Sequence, residues 1–123
     1  MERDLIALKL PNKPSYVGVI RLTTSSIASQ AGLNIEEIED VKVAIAEACI
    51  NALGKSDSFD IEYELYSEKL VISVKNVSEK IDDKCENSKE RALGILIIKS
   101  LMDEVEFTNS GIKMTKQIED GNR

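Results

Sequence analysis

The chain has no histidine and no tryptophan, only two prolines and two cysteines, and an aromatic content of 4%. Without an imidazole there is no side chain whose ordinary titration sits near neutral pH, so any acid–base chemistry falls to a carboxylate. Cys49 and Cys85 make no metal-ligand spacing, and with no histidine to complete a tetrahedral set a zinc site is excluded; both read as free thiols. No apolar run approaches the ~20 residues that a bilayer-spanning helix needs. Positive charge is the scarcer sign, 16 Lys and Arg against 22 Asp and Glu for a net −6. That balance disfavours nonspecific attraction to nucleic acid and to anionic membranes, and leaves basic protein surfaces or small molecules as partners. The opening MERDLIALKL is charged before any apolar run and lacks a small-residue cleavage site, so it does not read as a secretory signal and a cytoplasmic location is expected.

What is present describes one globular domain. A chain of 123 residues, 42% hydrophobic and 31% charged, is long enough for one real core and too short for two, so 1–123 reads as a single domain. The stretch from Asn34 to Ala52 organises the rest. Asn34 can accept from a free amide at a helix start and Glu37, three residues on, can reach back to close a capping box. Ile38, Val41, Ile45, Cys49 and Ala52 then recur on one helical face that should lie against a core. Glu47 and Asn51 interrupt the apolar pattern one turn apart, beside the small residues Ala44 and Ala48. A carboxylate and a carboxamide on one small-walled stripe can form a catalytic or metal-coordinating pair; the competing reading is the solvated edge of an amphipathic helix.

Around that helix the elements fall in order. Leu5 to Leu10 reads as a strand that Pro11 stops, and Pro14 and Ser15 open a helix running to about Ser29, with Gly32 as its C-cap. The run Thr23, Thr24, Ser25, Ser26 weakens helix propensity there without breaking the period. Arg21 is the one cation of that helix, either a snorkelling surface residue or a contact for an acidic partner. Phe59 to Tyr66 and Leu70 to Val74 alternate as a hairpin across Ser67-Glu68-Lys69. Val77 to Arg91 is almost wholly polar and reads as a mobile loop over a site. Ala92 to Met102 returns to helical spacing with Gly94 near its start, where it serves either packing or the close approach of an anion. Two last strands, Val105 to Thr108 and Ile112 to Ile118, flank Asn109-Ser110-Gly111, with Gly111 expected to supply a positive φ. The expected fold is α+β: a two-layer sandwich of one mixed, mostly antiparallel sheet with three helices on one face.

Several of these runs carry a resemblance. Tyr16 to Thr23, the Ile38 to Ala44 run with Glu47-Ala48-Cys49-Ile50-Asn51-Ala52, and Leu101 to Val105 resemble the first helix, the N-box and the turn after the last helix of bacterial anti-sigma-factor serine kinases of the RsbW and SpoIIAB type. These belong to the histidine-kinase-like ATPases with the Bergerat fold, and the resemblance covers almost the whole chain. It implies ATP and Mg²⁺ as cofactors, Glu47 as general base, Asn51 as the Mg²⁺ ligand, and Arg21 on the surface that holds a sigma factor or its rival. That rival is an anti-anti-sigma protein, one of whose serines the kinase phosphorylates. Relatives also form dimers. The nucleotide motifs depart from the family pattern. Asn76-Val77-Ser78 stands where the family has Asp-x-Gly, so Asn76 replaces the acid that accepts from adenine and Ser78 brings a Cβ where a left-handed glycine is expected. Arg91-Ala92-Leu93-Gly94-Ile95 keeps only Gly94 of a richer glycine run, and Lys55 falls where many relatives have histidine. Two functions follow: an ATP-dependent serine kinase and anti-sigma factor, or a nucleotide-independent module that only binds the partner.

Overall fold

The computed structural model describes residues 3–80 and 88–119. Five strands and three helices follow in the order β1 (Asp4–Pro11), α1 (Val17–Ala31), α2 (Ile35–Ala52), β2 (Ser58–Leu65), β3 (Lys69–Lys75), α3 (Ser88–Leu101), β4 (Glu104–Phe107) and β5 (Gly111–Gln117). The sheet runs β1-β2-β3-β5-β4. All four pairings are antiparallel, so the α+β sandwich is as expected but its sheet is not mixed.

Alternation along each strand builds one continuous apolar face. Ile6, Leu8 and Leu10 of β1 stand opposite Tyr63, Ile61 and Phe59 of β2. The same rows continue through Ile72 and Val74 of β3 to Met114 and Ile112 of β5. Against this face lie Ile20, Ile27 and Ala28 of α1, Val41, Ile45 and Cys49 of α2, and Ile98 of α3, all buried. Removing each of the larger side chains from water contributes about 1.5–3 kcal/mol. The other face of the sheet carries Glu62, Lys113 and Glu106 toward solvent.

Local chemistry sets the helix ends. The capping box of α2 is formed in both directions, Glu37 N donating to Asn34 Oδ1 at 2.8 Å and Asn34 N to Glu37 Oε1 at 2.9 Å. Gly32, at φ 100°, ends α1 in the left-handed conformation. Pro14–Tyr16 form a 3-10 turn, so the α-helix starts at Val17 rather than at the proline. Helix α3 already includes Ser88 to Arg91, a turn ahead of the expected Ala92: Lys89, Glu90 and Arg91 lack an apolar period but are good helix formers. Of the expected loop 77–91, residues 88–91 are therefore helical, and residues 81–87, with Cys85, lie outside the described part. Gly111 is not the positive-φ residue of its hairpin. It sits in β5 opposite Lys75, where a Cβ would collide with the Val74 carbonyl oxygen, so close backbone approach and not turn conformation demands glycine there. No helix among the described residues is long and apolar enough to cross a membrane.

Candidate functional site

The C-terminal half of α2 faces the end of β3 and the first turns of α3. Ala44 and Ala48 are fully buried, so α2 sits close to its neighbours along this stripe. Asn12, just beyond β1, fixes the end of the helix: its Nδ2 donates to the Ala52 carbonyl at 3.0 Å and its Oδ1 accepts from Gly54 N at 3.3 Å. The side chains at 47 and 51 are thereby held on a rigid element, and Lys55 follows in the turn just beyond it.

Glu47 is half-buried and its carboxylate reaches across to α3. A Cβ placed on Gly94 would lie 2.6 Å from Glu47 Oε1. Gly94 is itself buried within α3, and its missing side chain is what gives the carboxylate room. The two residues that the sequence singled out separately, on different helices, are thus in contact.

Asn51 is 3% exposed and pinned through its carboxamide. Its Nδ2 donates to the Ser78 carbonyl at 3.2 Å, and its Oδ1 accepts from Ser78 N at 3.1 Å and from the Lys55 ammonium at 2.9 Å. Two donors on the oxygen and one acceptor at the nitrogen fix which way the amide points. Arg91 donates from Nη1 to the Asn51 carbonyl at 3.4 Å. The carboxamide joins α2 to the segment after β3 with the Lys55 ammonium on its oxygen, while Arg91 bonds the main-chain carbonyl of the same residue.

Asn76 ends β3 in the left-handed region at φ 67°, and it is the only non-glycine residue with positive φ among those described. The family pattern placed that conformation at Ser78; the structure places it two residues earlier, at an asparagine, one of the residue types that tolerate it. Asn76 Nδ2 donates to Ser56 Oγ at 3.1 Å, which makes Oδ1 the end able to accept from a ligand. Asn76, Ser78 and Lys55 line an open cavity of about 540 Å³ together with Phe107 and Ser110. A neighbouring cavity of about 490 Å³ lies between Glu79 and the Ser88, Ala92 and Ile95 side of α3. Lys99 spans these parts by an ion pair to Glu79 at 2.6 Å. A groove of about 460 Å³ on the solvent face of the sheet shares none of the site residues.

The structure therefore brings together Glu47 with Gly94, and Asn51 with Ser78, while Asn76 joins Ser78 on the cavity wall. Arg21 stands apart, exposed on α1. Lys55 and Arg91 were legible only as departures from a pattern; the signal for Lys55 was its i, i+4 spacing from Asn51, and none marked Arg91. Among the described residues no group of three or more Asp, Glu, Cys or His could hold a metal ion.

Known proteins are similar in sequence along nearly the whole chain. The serine-protein kinase RsbW of Bacillus pumilus is 38% identical, covering 92% of this chain and 85% of that protein. The same-named kinases of Bacillus subtilis and Listeria innocua are 33% and 35% identical, each over 94% of this chain. The family model of the histidine kinase-like ATPase domain matches residues 10–116, which takes in every residue of the site. This chain belongs to the histidine kinase-like ATPase domain family.

Proposed function

We propose that this protein is a cytoplasmic, ATP-dependent protein serine kinase that also sequesters a sigma factor, its substrate being a serine of the anti-anti-sigma protein that competes for the same kinase. The kinase part is supported by relatives named serine-protein kinase at 30% identity and above over most of the chain. The observation that carries the reading is Glu47: the one carboxylate on the α2 stripe is half-buried, seated over Gly94, and one turn from Asn51. A protein with no histidine has few other candidates for a general base.

In this reading ATP supplies the phosphoryl group. Glu47 takes the proton of the incoming serine hydroxyl, a role that needs a carboxylate held in place. Gly94 keeps the space in which that carboxylate and the phosphate end of the nucleotide meet. Asn76 Oδ1 and the backbone around Ser78 face the base, with a neutral acceptor in place of a charged one, which costs about 1–2 kcal/mol of nucleotide affinity. Asn51 fixes the Ser78 backbone against α2. Magnesium does not fit Asn51 as it is held: the ion needs a free oxygen lone pair, and Oδ1 already accepts from Lys55 and Ser78. Arg21, the lone charge on α1, belongs to the surface offered to the sigma factor and its rival, and pairing of two copies belongs to the same reading.

The test is transfer of labelled phosphate from ATP to a serine of a purified anti-anti-sigma protein. Glu47→Gln is expected to slow transfer by about a hundredfold or more while leaving ATP binding in place. Arg21→Ala is expected to weaken sigma-factor capture without changing ATP binding. Sigma capture with neither transfer nor ATP binding at millimolar nucleotide would replace the kinase by a partner-binding module.

A further inference from the structure

We propose that Ser56 sets the base selectivity of the site: by holding the Asn76 amide in one orientation, it favours a purine with an exocyclic amino group over one with a carbonyl at the same ring position. This rests on the reading of the site as an ATP site and names the residue behind the cavity wall that decides which base is taken.

Two linked hydrogen bonds carry it. The Ser56 hydroxyl donates to the Ser58 carbonyl at 2.7 Å, and a hydroxyl has a single proton to give. β3 pairs with β2 only from Ile61 onward, so Ser58, at the start of β2, lies outside that pairing and its carbonyl is satisfied by the hydroxyl two residues earlier. Toward Asn76, at 3.1 Å, Ser56 Oγ can then only accept, and the amide has to present Nδ2 to it. Oδ1 is the end left over, and it makes no hydrogen bond to a described residue. The main chain of Asn76 is fixed as well, with φ at 67° and its N–H donating to the Ser110 carbonyl at 2.8 Å.

An asparagine is ambiguous where an aspartate is not. Either oxygen of a carboxylate accepts, whereas a carboxamide turned over presents N–H donors to the same place. Adenine offers a donor in its amino group, and hypoxanthine offers a carbonyl acceptor there. Oδ1 toward the cavity pairs with the first and sets lone pairs against the second, while Nδ2 toward the cavity would reverse the preference. Asn76 lines the cavity of about 540 Å³ and Ser56 does not, so Ser56 is a positioning residue that acts through the amide it orients.

Calorimetric titration of the full chain with ATP and with inosine triphosphate, in one magnesium buffer, tests this through the ratio of the two dissociation constants. The unaltered protein is expected to favour ATP by about tenfold or more. Ser56→Ala frees the amide to turn and is expected to lower that ratio by about fivefold or more, with inosine triphosphate bound more tightly than before. Ser56→Thr keeps the hydroxyl and is expected to keep the ratio. With Asn76→Asp already in place, both ends accept, and adding Ser56→Ala is expected to change the ratio by less than about twofold. A general loosening of the turn after α2 would weaken both nucleotides alike and leave the ratio where it was. An unaltered protein that binds the two equally, a ratio that Ser56→Ala leaves unchanged, or one that falls as far with Asn76→Asp in place overturns the proposal while the kinase reading stands. ATP that fails to bind the unaltered protein overturns both.

Discussion

At the scale of single residues, the run Thr23 to Ser26 looks in sequence like a tax on helix propensity, yet Thr24 is fully buried and joins α1 to the sheet. Its Oγ1 donates to the Ile20 carbonyl at 2.7 Å, so the Tyr63 hydroxyl is left to donate to Thr24, also at 2.7 Å. Tyr63 and Cys49 share this interior. Burial pushes the Cys49 thiol from 9.0 to about 12. Burial also pushes Tyr63 from 10.0 to about 12, against the lowering effect of the Thr24 bond. Both groups keep their protons in the folded protein at a pH where the unfolded chain has lost them. The folded state then binds more protons, and stability falls as pH rises. The contribution is intact below the unfolded values and is lost at about 1.4 kcal/mol per pH unit for each group, between about pH 9 and 12 for Cys49 and between about pH 10 and 12 for Tyr63. Denaturant melts across that interval are expected to show the decline, and Cys49→Ala or Tyr63→Phe to flatten it. A slope unchanged in both variants would place the alkaline sensitivity elsewhere.

At the scale of elements, helices α2 and α3 meet at a glycine, and that contact separates stability from activity. Gly94 lies in the interior of α3, where alanine favours the helix by about 1 kcal/mol. The added methyl would meet Glu47 Oε1, the free end of a flexible side chain, so the carboxylate moves and the backbone does not. Gly94→Ala is therefore expected to leave the thermal transition unchanged or raise it, while phosphoryl transfer drops by about ten- to a hundredfold through displacement of the base. A variant that melts early, or one that transfers phosphate at the original rate, removes Glu47 from the role given to it. Much at this scale was legible because it is local: the capping box at Asn34 and Glu37, the stop at Gly32 and the alternation in each hairpin involve residues a few positions apart. The misplaced features also have local causes. Ser88 to Arg91 has no apolar period, although its residues favour helix, and Gly111 is dictated by a strand that passes against it and not by its own turn.

At the scale of the whole molecule, what the sequence could not show is which separate signals share one place. Glu47, Asn51 and Gly94 could be singled out by type and spacing, but the contact of Glu47 with Gly94 and the anchoring of Asn51 by Ser78, Lys55 and Arg91 exist only once α2, the end of β3 and α3 are packed together. That packing depends on another lysine that sequence reading leaves unremarked. Lys116 occupies a position on the inner row of β5, opposite Leu70, and is 8% exposed. Its ammonium donates to the carbonyl of Leu101, the last residue of α3, at 2.7 Å, and lies 3.5 Å from Asp40 of α2. The end of a helix leaves carbonyls without partners and carries partial negative charge, so a cation delivered from the sheet answers both. Asp40 is more than a third exposed, and its share of the interaction is screened by water. The hydrogen bond to α3, rather than the ion pair to α2, should then dominate. Lys116→Met keeps the apolar stem but removes the donor, and is expected to cost about 2 kcal/mol. Asp40→Asn is expected to cost under about 0.5 kcal/mol, and the loss in Lys116→Met should persist in high salt. Equal losses in the two variants, or a Lys116→Met deficit that salt erases, would make the ion pair the tie between sheet and helices. Because α3 also carries Gly94 and Arg91, loosening its far end should weaken ATP binding in Lys116→Met and leave it unchanged in Asp40→Asn.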